Sequence, residues 1–461
     1  MYIQDTIVAP ATAPGRGAVA IVRLSGPDAI RILRAVFRRD GDSGEVEPRR
    51  LHIGDVVDPA SGAHIDRALA VTMPAPASLT GEDVAEIQCH GGPYIVRRIV
   101  AIAIDAGARA AEPGEFARRA FLNGKIDLTE AEAIADLVEA KSDAALKNAL
   151  NHLSGGLKAK VDGLRGELIS IRAHLEAEID FSDEDIALPS REEIAALLAS
   201  LKREIATLHD SFARGRIERE GVCATIIGKP NVGKSSILNL ILGSDRAIVT
   251  PVAGTTRDII EDSVQLGPHA LVIQDTAGIR AHAGEIEQIG IARTLKSVSE
   301  ADLVIAVFDS SRPLDAEDVR IADRCAGRTG IALLNKTDLP ALASEGELRA
   351  LGITMPILPV CAIHVEDAER IRSELSHSIQ TFVDSRAVAD GAVISRERHR
   401  DMLASALRAI ENASAALEAK SPPEIIAVDV TEACDALGQI TGAVHSEDIL
   451  DAVFREFCIG K

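Results

Sequence analysis

Tryptophan is absent from this 461-residue chain, tyrosine occurs twice, and all aromatic residues together make up 2% of it. Its cores must therefore be aliphatic and rich in alanine, as close helix packing favours. The six cysteines, Cys89, Cys223, Cys325, Cys361, Cys434 and Cys458, include no C-x-x-C pair, which argues against a zinc site and against a disulfide framework. Five read as ordinary small buried residues. The start, Met1-Tyr2-Ile3-Gln4-Asp5, lacks the basic and apolar segments of a secretory signal. Apolar runs such as 99–104 end at a charge far short of the ~20 residues that span a membrane, so a cytoplasmic chain without membrane contact is expected. A formal charge of −20 excludes a protein whose overall field draws nucleic acid, though a local stripe such as Arg396, Arg398 and Arg400 is compatible with an acidic total. Hydrophobic content of 46% and charged content of 26% are those of an ordinary soluble protein, and the length suits two to four domains.

What is present is dominated by one string. Gly228-Lys229-Pro230-Asn231-Val232-Gly233-Lys234-Ser235 fits the phosphate-binding pattern G-x-x-x-x-G-K-[ST]. Its glycines let the backbone turn successive N–H groups toward a β-phosphate, Lys234 adds a positive charge, and Ser235 offers a hydroxyl to Mg²⁺. A strand is expected over Val222–Ile227 and a helix from Ser236 to Leu242, whose positive end faces the phosphates.

Two further strings select the nucleotide. Asn335-Lys336-Thr337-Asp338 follows the apolar run 331–334 and places N-K-x-D at a strand end. Asp338 can accept from the ring N–H and the exocyclic amine of guanine, a donor pair that adenine lacks. Asp275-Thr276-Ala277-Gly278 follows the apolar run 270–273, where the aspartate acts toward Mg²⁺ and the glycine N–H toward a γ-phosphate. Together they define a GTPase domain. The position that holds a water-orienting glutamine in Ras-like proteins holds Ile279 here. The loop Thr250-Pro251-Val252-Ala253-Gly254-Thr255-Thr256-Arg257-Asp258 suits a switch, with Thr256 as second hydroxyl ligand of Mg²⁺. Arg257 either faces solvent or pairs with Asp258, whereas Asn231 offers an amide to a monovalent cation beside the phosphates. After a strand over 356–360, Cys361-Ala362-Ile363 stands where S-A-K usually closes the base pocket through its backbone.

The fold class expected is mixed. Residues 1–120 alternate β-rich runs (18–24, 68–73, 84–89) with a helix over 94–106, an α/β domain. Helices follow over 121–216, where Thr129-Glu130-Ala131-Glu132 reads as a capping box and Leu164, Leu168, Ile171, Leu175 and Ile179 form one stripe. Helical spacing returns over 384–461 in Leu403, Leu407, Ile410 and Leu417. The simplest packing makes 217–383 a Ras-like P-loop GTPase domain inserted into a helical domain built from both flanks, since each flank alone has half a core.

Several strings in order, Asp5-Thr6-Ile7-Val8-Ala9, Pro14-Gly15-Arg16-Gly17, Leu79-Thr80-Gly81-Glu82-Asp83, His90-Gly91-Gly92-Pro93, Pro113-Gly114-Glu115-Phe116, Arg119 to Lys125, the switch loop and the terminal Phe457-Cys458-Ile459-Gly460-Lys461, closely resemble the MnmE (TrmE) family of tRNA-modification GTPases from end to end. The resemblance implies K⁺-stimulated GTP hydrolysis, with K⁺ held by Asn231, Thr250, Val252 and Thr255, and a water-orienting glutamate at Glu287, with Glu285 as competitor. GTP contacts are implied for Asn231, Val232, Gly233, Lys234, Ser235, Ser236, 250–256, Asp275, Thr276, Ala277, Gly278, Asn335, Lys336, Asp338, Cys361 and Ala362. The N-terminal domain resembles the family's folate-binding and dimerisation domain; Arg23, Glu82, Lys125 and Lys461 would hold 5-formyl- or methylene-tetrahydrofolate. The family implies a homodimer that assembles into a heterotetramer with MnmG (GidA), an FAD-containing flavoprotein. That partner would carry most of the tRNA contact while a one-carbon unit goes to C5 of the wobble uridine. Cys458, in the terminal motif, is a candidate reactive thiol. A ribosome-assembly GTPase and a folate-binding scaffold with a regulatory G domain are the alternatives.

Overall fold

The computed structural model describes residues 5–40, 46–180, 189–243, 262–274, 301–385, 392–455, 457 and 459–460. The chain forms two compact units, 1–135 with 438–461, and 136–437.

The first unit is built on a seven-stranded sheet in the order β3-β4-β5-β6-β2-β1-β7. Its elements are β1 (Ile7–Pro10), β2 (Val19–Ser25), α1 (Ala29–Val36), β3 (Phe37–Arg39), β4 (His52–Val57), β5 (His64–Met73), β6 (Val84–His90), α2 (Pro93–Asp105), β7 (Arg109–Ala110), α3 (Glu115–Leu122) and the start of α4 (Leu128–Glu139). β2 reads V-A-I-V-R-L-S, and its Ala20, Val22 and Leu24 turn inward while Arg23 lies on the other face, the period of two of a half-buried strand. Those apolar residues join Ile32, Leu33, Ile87, Ile99 and Ile102 in one aliphatic core. Arg23 sits directly opposite Glu86 in the β2–β6 register. The reciprocal cap of α4 is Asp127 with Glu130: Asp127 N donates to Glu130 Oε2 at 2.8 Å and Glu130 N to Asp127 Oδ1 at 2.9 Å. This corrects the expectation of a box opening at Thr129, whose hydroxyl instead donates to Asp127 Oδ1 at 2.7 Å. Two carboxylates flanking the threonine make the better box because Asp127 precedes the first helical residue.

The second unit begins with four helices, α5 (Asp143–Leu153), α6 (Gly156–Asp180), α7 (Arg191–Asp210) and α8 (Phe212–Glu220). It continues with β8 (Val222–Ile227), α9 (Lys234–Leu242), β9 (Asp262–Leu266), β10 (His269–Ile273), β11 (Leu303–Asp309), α10 (Ala316–Cys325), β12 (Gly330–Asn335), α11 (Glu345–Ala350), β13 (Ile357–Pro359) and α12 (Glu366–Asp384). The helices α13 (Glu397–Glu418) and α14 (Pro423–Thr441) follow, and α15 (Glu447–Arg455) returns to the first unit. The second sheet runs β13-β12-β11-β8-β10-β9, parallel except for β9. β11, L-V-I-A-V-F-D, is buried along its whole length, as a central parallel strand covered on both faces must be. One face packs Ile237, Leu238 and Ile241 of α9 with Ile371, Leu375 and Ile379 of α12; the other packs Ile321 and Ala322 of α10 with Leu348 of α11. The chain leaves β8 toward β10 on one side and resumes at β11 on the other. That reversal opens a crevice at the carboxyl ends of β8 and β11, where open α/β sheets bind ligands.

α7 and α13, which lie on either side of the sheet in sequence, pack along each other. In α6 the stripe residues Leu164, Leu168, Ile171 and Leu175 are buried as their spacing predicts, while Ile179, at the end of the helix, is half-buried. The arginines of 396–400 are not a surface stripe. Arg396 is buried with Nη2 2.7 Å from Asp136, which also takes Arg219 Nε at 2.9 Å. Arg398 meets the His399 ring at 3.0 Å, and Arg400 lies 4.9 Å over the Phe212 ring and pairs with Asp401. These cations are used inside the unit, which charge counting along the chain could not register. Among the described residues no helix is long and apolar enough to cross a membrane.

Candidate nucleotide site

The phosphate loop leaves the carboxyl end of β8 and enters α9 at Lys234, as the flanking apolar runs predict. Two glycines in it are dictated by close approach. A Cβ on Gly228 would lie 2.5 Å from the Val307 carbonyl of β11, and one on Gly233 would lie 2.3 Å from Asn335 Nδ2. Gly233 also holds φ +102°, a left-handed value that costs other residues energy. Asn231 takes φ 65°, one of the few side chains that tolerate it, and stands exposed on the loop. Lys234 Nζ lies inside the loop's curl and donates to the carbonyls of Gly228 and Lys229, both at 2.8 Å. Burial lowers its pKa below the ordinary lysine value. Ser235 and Ser236 are exposed on the first turn of α9, where the helix dipole is positive.

Asn335 joins this loop to the base side. Its Nδ2 donates to the Val232 carbonyl at 2.8 Å and its Oδ1 accepts from Ala362 N at 2.9 Å. One buried amide thus fixes the phosphate loop and the segment after β13 together. Lys336 holds φ 68° and its Nζ lies 2.6 Å from Asp309 Oδ2. Asp338 is exposed, its carboxylate accepting from Cys361 Sγ at 3.1 Å. Cys361 N donates to Asp367 Oδ2 at 2.7 Å. Burial and the neighbouring Asp338 charge both push the Cys361 thiol up, so it stays protonated and able to donate. Cys361 therefore stands in for the serine of the usual S-A-K string as an S–H donor, and Ala362 contributes its backbone.

The switch segment 250–256, the D-T-A-G string 275–278 and Glu287 lie outside the described residues, as do Lys461 and Cys458. Of the other cysteines, Cys89, Cys325, Cys361 and Cys434 are buried and Cys223 is half-buried. Burial pushes the thiols of Cys89 and Cys325 up to about 11.

In the first unit, one of the sequence-predicted residues, Glu82, is held by an arginine that the sequence reading did not single out. Arg119, on α3 and 2% exposed, reaches Asp5 Oδ1 at 2.5 Å, Glu115 Oε1 at 2.9 Å and Glu82 Oε2 at 3.1 Å. Glu82 also accepts from Ser25 Oγ at 2.7 Å. Arg23 pairs with Glu86 at 2.8 Å, lies 5.8 Å from the Phe116 ring centre and donates to the Gly460 carbonyl at 3.4 Å. Lys125 is exposed and its stem lies against Gly81, beside Glu82. A signal for Arg119 existed in the i, i+4 spacing of Glu115 and Arg119, but its partners Asp5 and Glu82 are far away in sequence.

A phosphate loop at the switch point of a parallel sheet, tied through Asn335 to an N-K-x-D loop, defines a P-loop GTP hydrolase. The chain's residues 6–125 match the model of the GTP-binding protein TrmE N-terminus, and 128–458 match that of the MnmE helical domain. Proteins named tRNA modification GTPase MnmE are similar over the whole length. That of Geobacter sulfurreducens is 44% identical, covering 100% of both chains; that of Natranaerobius thermophilus is 40% identical, covering 99% of this chain and 100% of the relative. The chain belongs to the MnmE family of tRNA modification GTPases. A solved G domain of the T. maritima FeoB iron transporter aligns with 34% of this chain and 98% of that one at 23% identity, but its TM-score of 0.26 is too low to add to the fold.

Proposed function

We propose that this chain is a K⁺-stimulated GTPase that works with an MnmG (GidA) partner carrying FAD. Together they install a carboxymethylaminomethyl or aminomethyl group at C5 of the wobble uridine, position 34, of certain tRNAs. The one-carbon unit comes from 5-formyl- or methylene-tetrahydrofolate. The chain acts in the cytoplasm as a homodimer within a heterotetramer, and tRNA is gripped mainly by the partner. Its GTPase domain is an insert between the two halves of a helical domain.

The observation that carries the GTP part of this reading is the two-sided Asn335 amide, which holds the phosphate loop and the base loop in one register. Lys234 and the N-terminus of α9 meet the phosphates, and Asp338 meets the guanine edge. The hydroxyl of Ser235, with Thr256, would hold Mg²⁺; Asn231, with Thr250, Val252 and Thr255, would hold K⁺. Hydroxyl, amide and carbonyl oxygens are the hard donors that such cations take, and Ser235 and Asn231 both stand open to solvent. When bound, the cations supply positive charge to the transferring phosphoryl group. Glu287 would orient the attacking water, since Ile279 has no polar atom to do so. In the first unit the guanidinium of Arg23 and the ammonium of Lys125, with Lys461, suit the glutamate tail of a folate. The carboxylate of Glu82, held by Ser25 and Arg119, is the acceptor type that an amino-pyrimidine edge takes.

The test is GTP hydrolysis by the purified chain in K⁺ against Na⁺ at equal ionic strength, with ATP as control and Asn231→Ala beside wild type. Stimulation by K⁺ that the variant loses is the expected outcome. Equal rates in both salts would mean that charge at the phosphates comes from elsewhere, such as Arg257.

A further inference from the structure

Two lysines of the nucleotide site are held from behind by carboxylates of one short segment, from the end of β11 to the first turn of α10. Asp309, the last residue of β11, has its side chain 4% exposed and its Oδ2 2.6 Å from Lys336 Nζ. Its Oδ1 accepts from Ser311 N at 3.0 Å and Ser311 Oγ at 2.7 Å. Asp318, with its side chain 2% exposed, takes Lys229 Nζ at 2.6 Å, and Asp315 takes the same ammonium at 2.9 Å. Asp318 also accepts from Asp315 N at 3.0 Å, which closes the cap of α10. Between these two grips the Ser310 carbonyl accepts from Leu342 N at 2.7 Å and Ala343 N at 3.0 Å, so the segment also holds the chain that follows N-K-T-D.

Lys229 belongs to the phosphate loop and Lys336 to the base loop. Burying two carboxylates is costly even when they are paired, and such pairs add little net stability. The left-handed backbone of Lys336 is a second cost that persists only where its surroundings impose it. A binding site repays both when it has to hold two loops in fixed register, because small displacements of contacting groups are expensive in affinity and rate.

We propose that the segment 309–318 is a strap that fixes the phosphate loop and the base loop relative to each other, with Asp309 and Asp318 as positioning residues for guanine-nucleotide binding. The proposal rests on the guanine-nucleotide reading of this site. Breaking either end of a strap releases both loops, so the two ends do not act independently.

The experiment is titration of the full-length chain with GDP, GTP and ADP, alongside steady-state GTP hydrolysis. Asp309→Asn and Asp318→Asn are each expected to raise the Kd for GDP about tenfold, with KM rising and kcat within about twofold. The double variant should stay near tenfold, against the roughly hundredfold of independent contacts. Lys229→Met removes the ammonium from both Asp318 and Asp315 while leaving the Asp315–Asp318 cap of α10 in place, and should raise the Kd for GDP at least as much as Asp318→Asn, while Lys229→Arg should restore binding to within about threefold of wild type. Single variants that bind GDP within twofold of wild type, or a double variant that reaches the product of the singles, would overturn the strap while leaving the guanine site standing. Wild type that binds ADP as tightly as GDP would overturn both.

Discussion

The two charged sites of this chain are built in opposite ways. The nucleotide site is assembled from short contiguous strings, each carried at a strand end, and backbone groups make most of its geometry. The cluster around Arg119 joins Glu115, one turn away on the same helix, to Asp5 and Glu82, which are far off in sequence and which only the fold of the first unit brings within hydrogen-bonding reach. A backbone-built site tolerates side-chain change except where a residue reads the ligand or a glycine is sterically required. A cluster of part-buried charges tolerates little, because losing one member strips the others of a shared counter-charge.

That contrast is broken most sharply at the residue that reads the base. Asp338→Asn replaces a double acceptor by a group that presents a donor, and GTP affinity should fall on the order of 10⁴-fold, as it does when a site built for a hydrogen-bonding pair loses it. Xanthosine triphosphate, whose ring carries a carbonyl in place of the exocyclic amine, should gain affinity over GTP in the same variant. Competition titration with both nucleotides checks this. Equal loss for both would mean that Asp338 does not face the base.

In the other region the matching change is Arg119→Met, which fills similar space and leaves three carboxylates without their shared cation. Destabilisation of the first unit by about 3–5 kcal/mol is expected. It should be read by hydrogen exchange, since the chain lacks tryptophan: amides of Ile7–Pro10 and Val19–Ser25 should lose protection while those of Leu303–Asp309 keep theirs. Loss spread evenly over both units would remove the contrast between a local and a distributed site.

How much of each region was legible in the sequence follows from the same difference. G-x-x-x-x-G-K-S and N-K-x-D could be placed on β8, α9 and β12 because periodicity and motif lie in one window. The roles of Asp309, Asp315 and Asp318 could not, because Asp315 and Asp318 meet Lys229 across 86 and 89 positions and Asp309 meets Lys336 across 27, beyond any one window. Arg396 was misread for the same reason: three arginines at alternate positions look like a solvated stripe, and the residue that turns one of them inward, Asp136, lies 260 positions away. The box of α4 was displaced by two residues because threonine and aspartate both cap, and periodicity does not choose between neighbouring starts.

Acid sharpens the comparison further. Burial pushes the Asp5 carboxyl up, but hydrogen bonds from Arg109 and Arg119 outweigh it and hold the group below its usual value; burial acts against Glu115 in the same way, and Arg109, the Glu112 N–H and Arg119 together prevail. A carboxyl depressed in the folded state contributes stability that is present above its unfolded value, about 4, and is lost as pH falls through the folded one. Protection of Ile7–Pro10 should therefore decline as pH falls below about 4, and in Arg119→Met that decline should be shallower because part of the linkage is already gone. Parallel pH profiles in both proteins would show that Arg119 does not set these groups.

The smallest effect is expected where backbone geometry carries most of the contact. Cys361 meets Asp338 through a protonated thiol at 3.1 Å, and serine offers a hydroxyl of the same connectivity with a stronger donor. Cys361→Ser should hold KM for GTP within about threefold of wild type, in the direction of tighter binding, since a single neutral hydrogen bond contributes about 1 kcal/mol. Cys361→Ala leaves the Cys361 N–H on Asp367 and the Ala362 N–H on Asn335, both main-chain donors. It should therefore weaken binding by no more than about fivefold. A loss approaching that of Asp338→Asn would instead mean that the thiol, and not the backbone around it, is what orients the carboxylate toward the base.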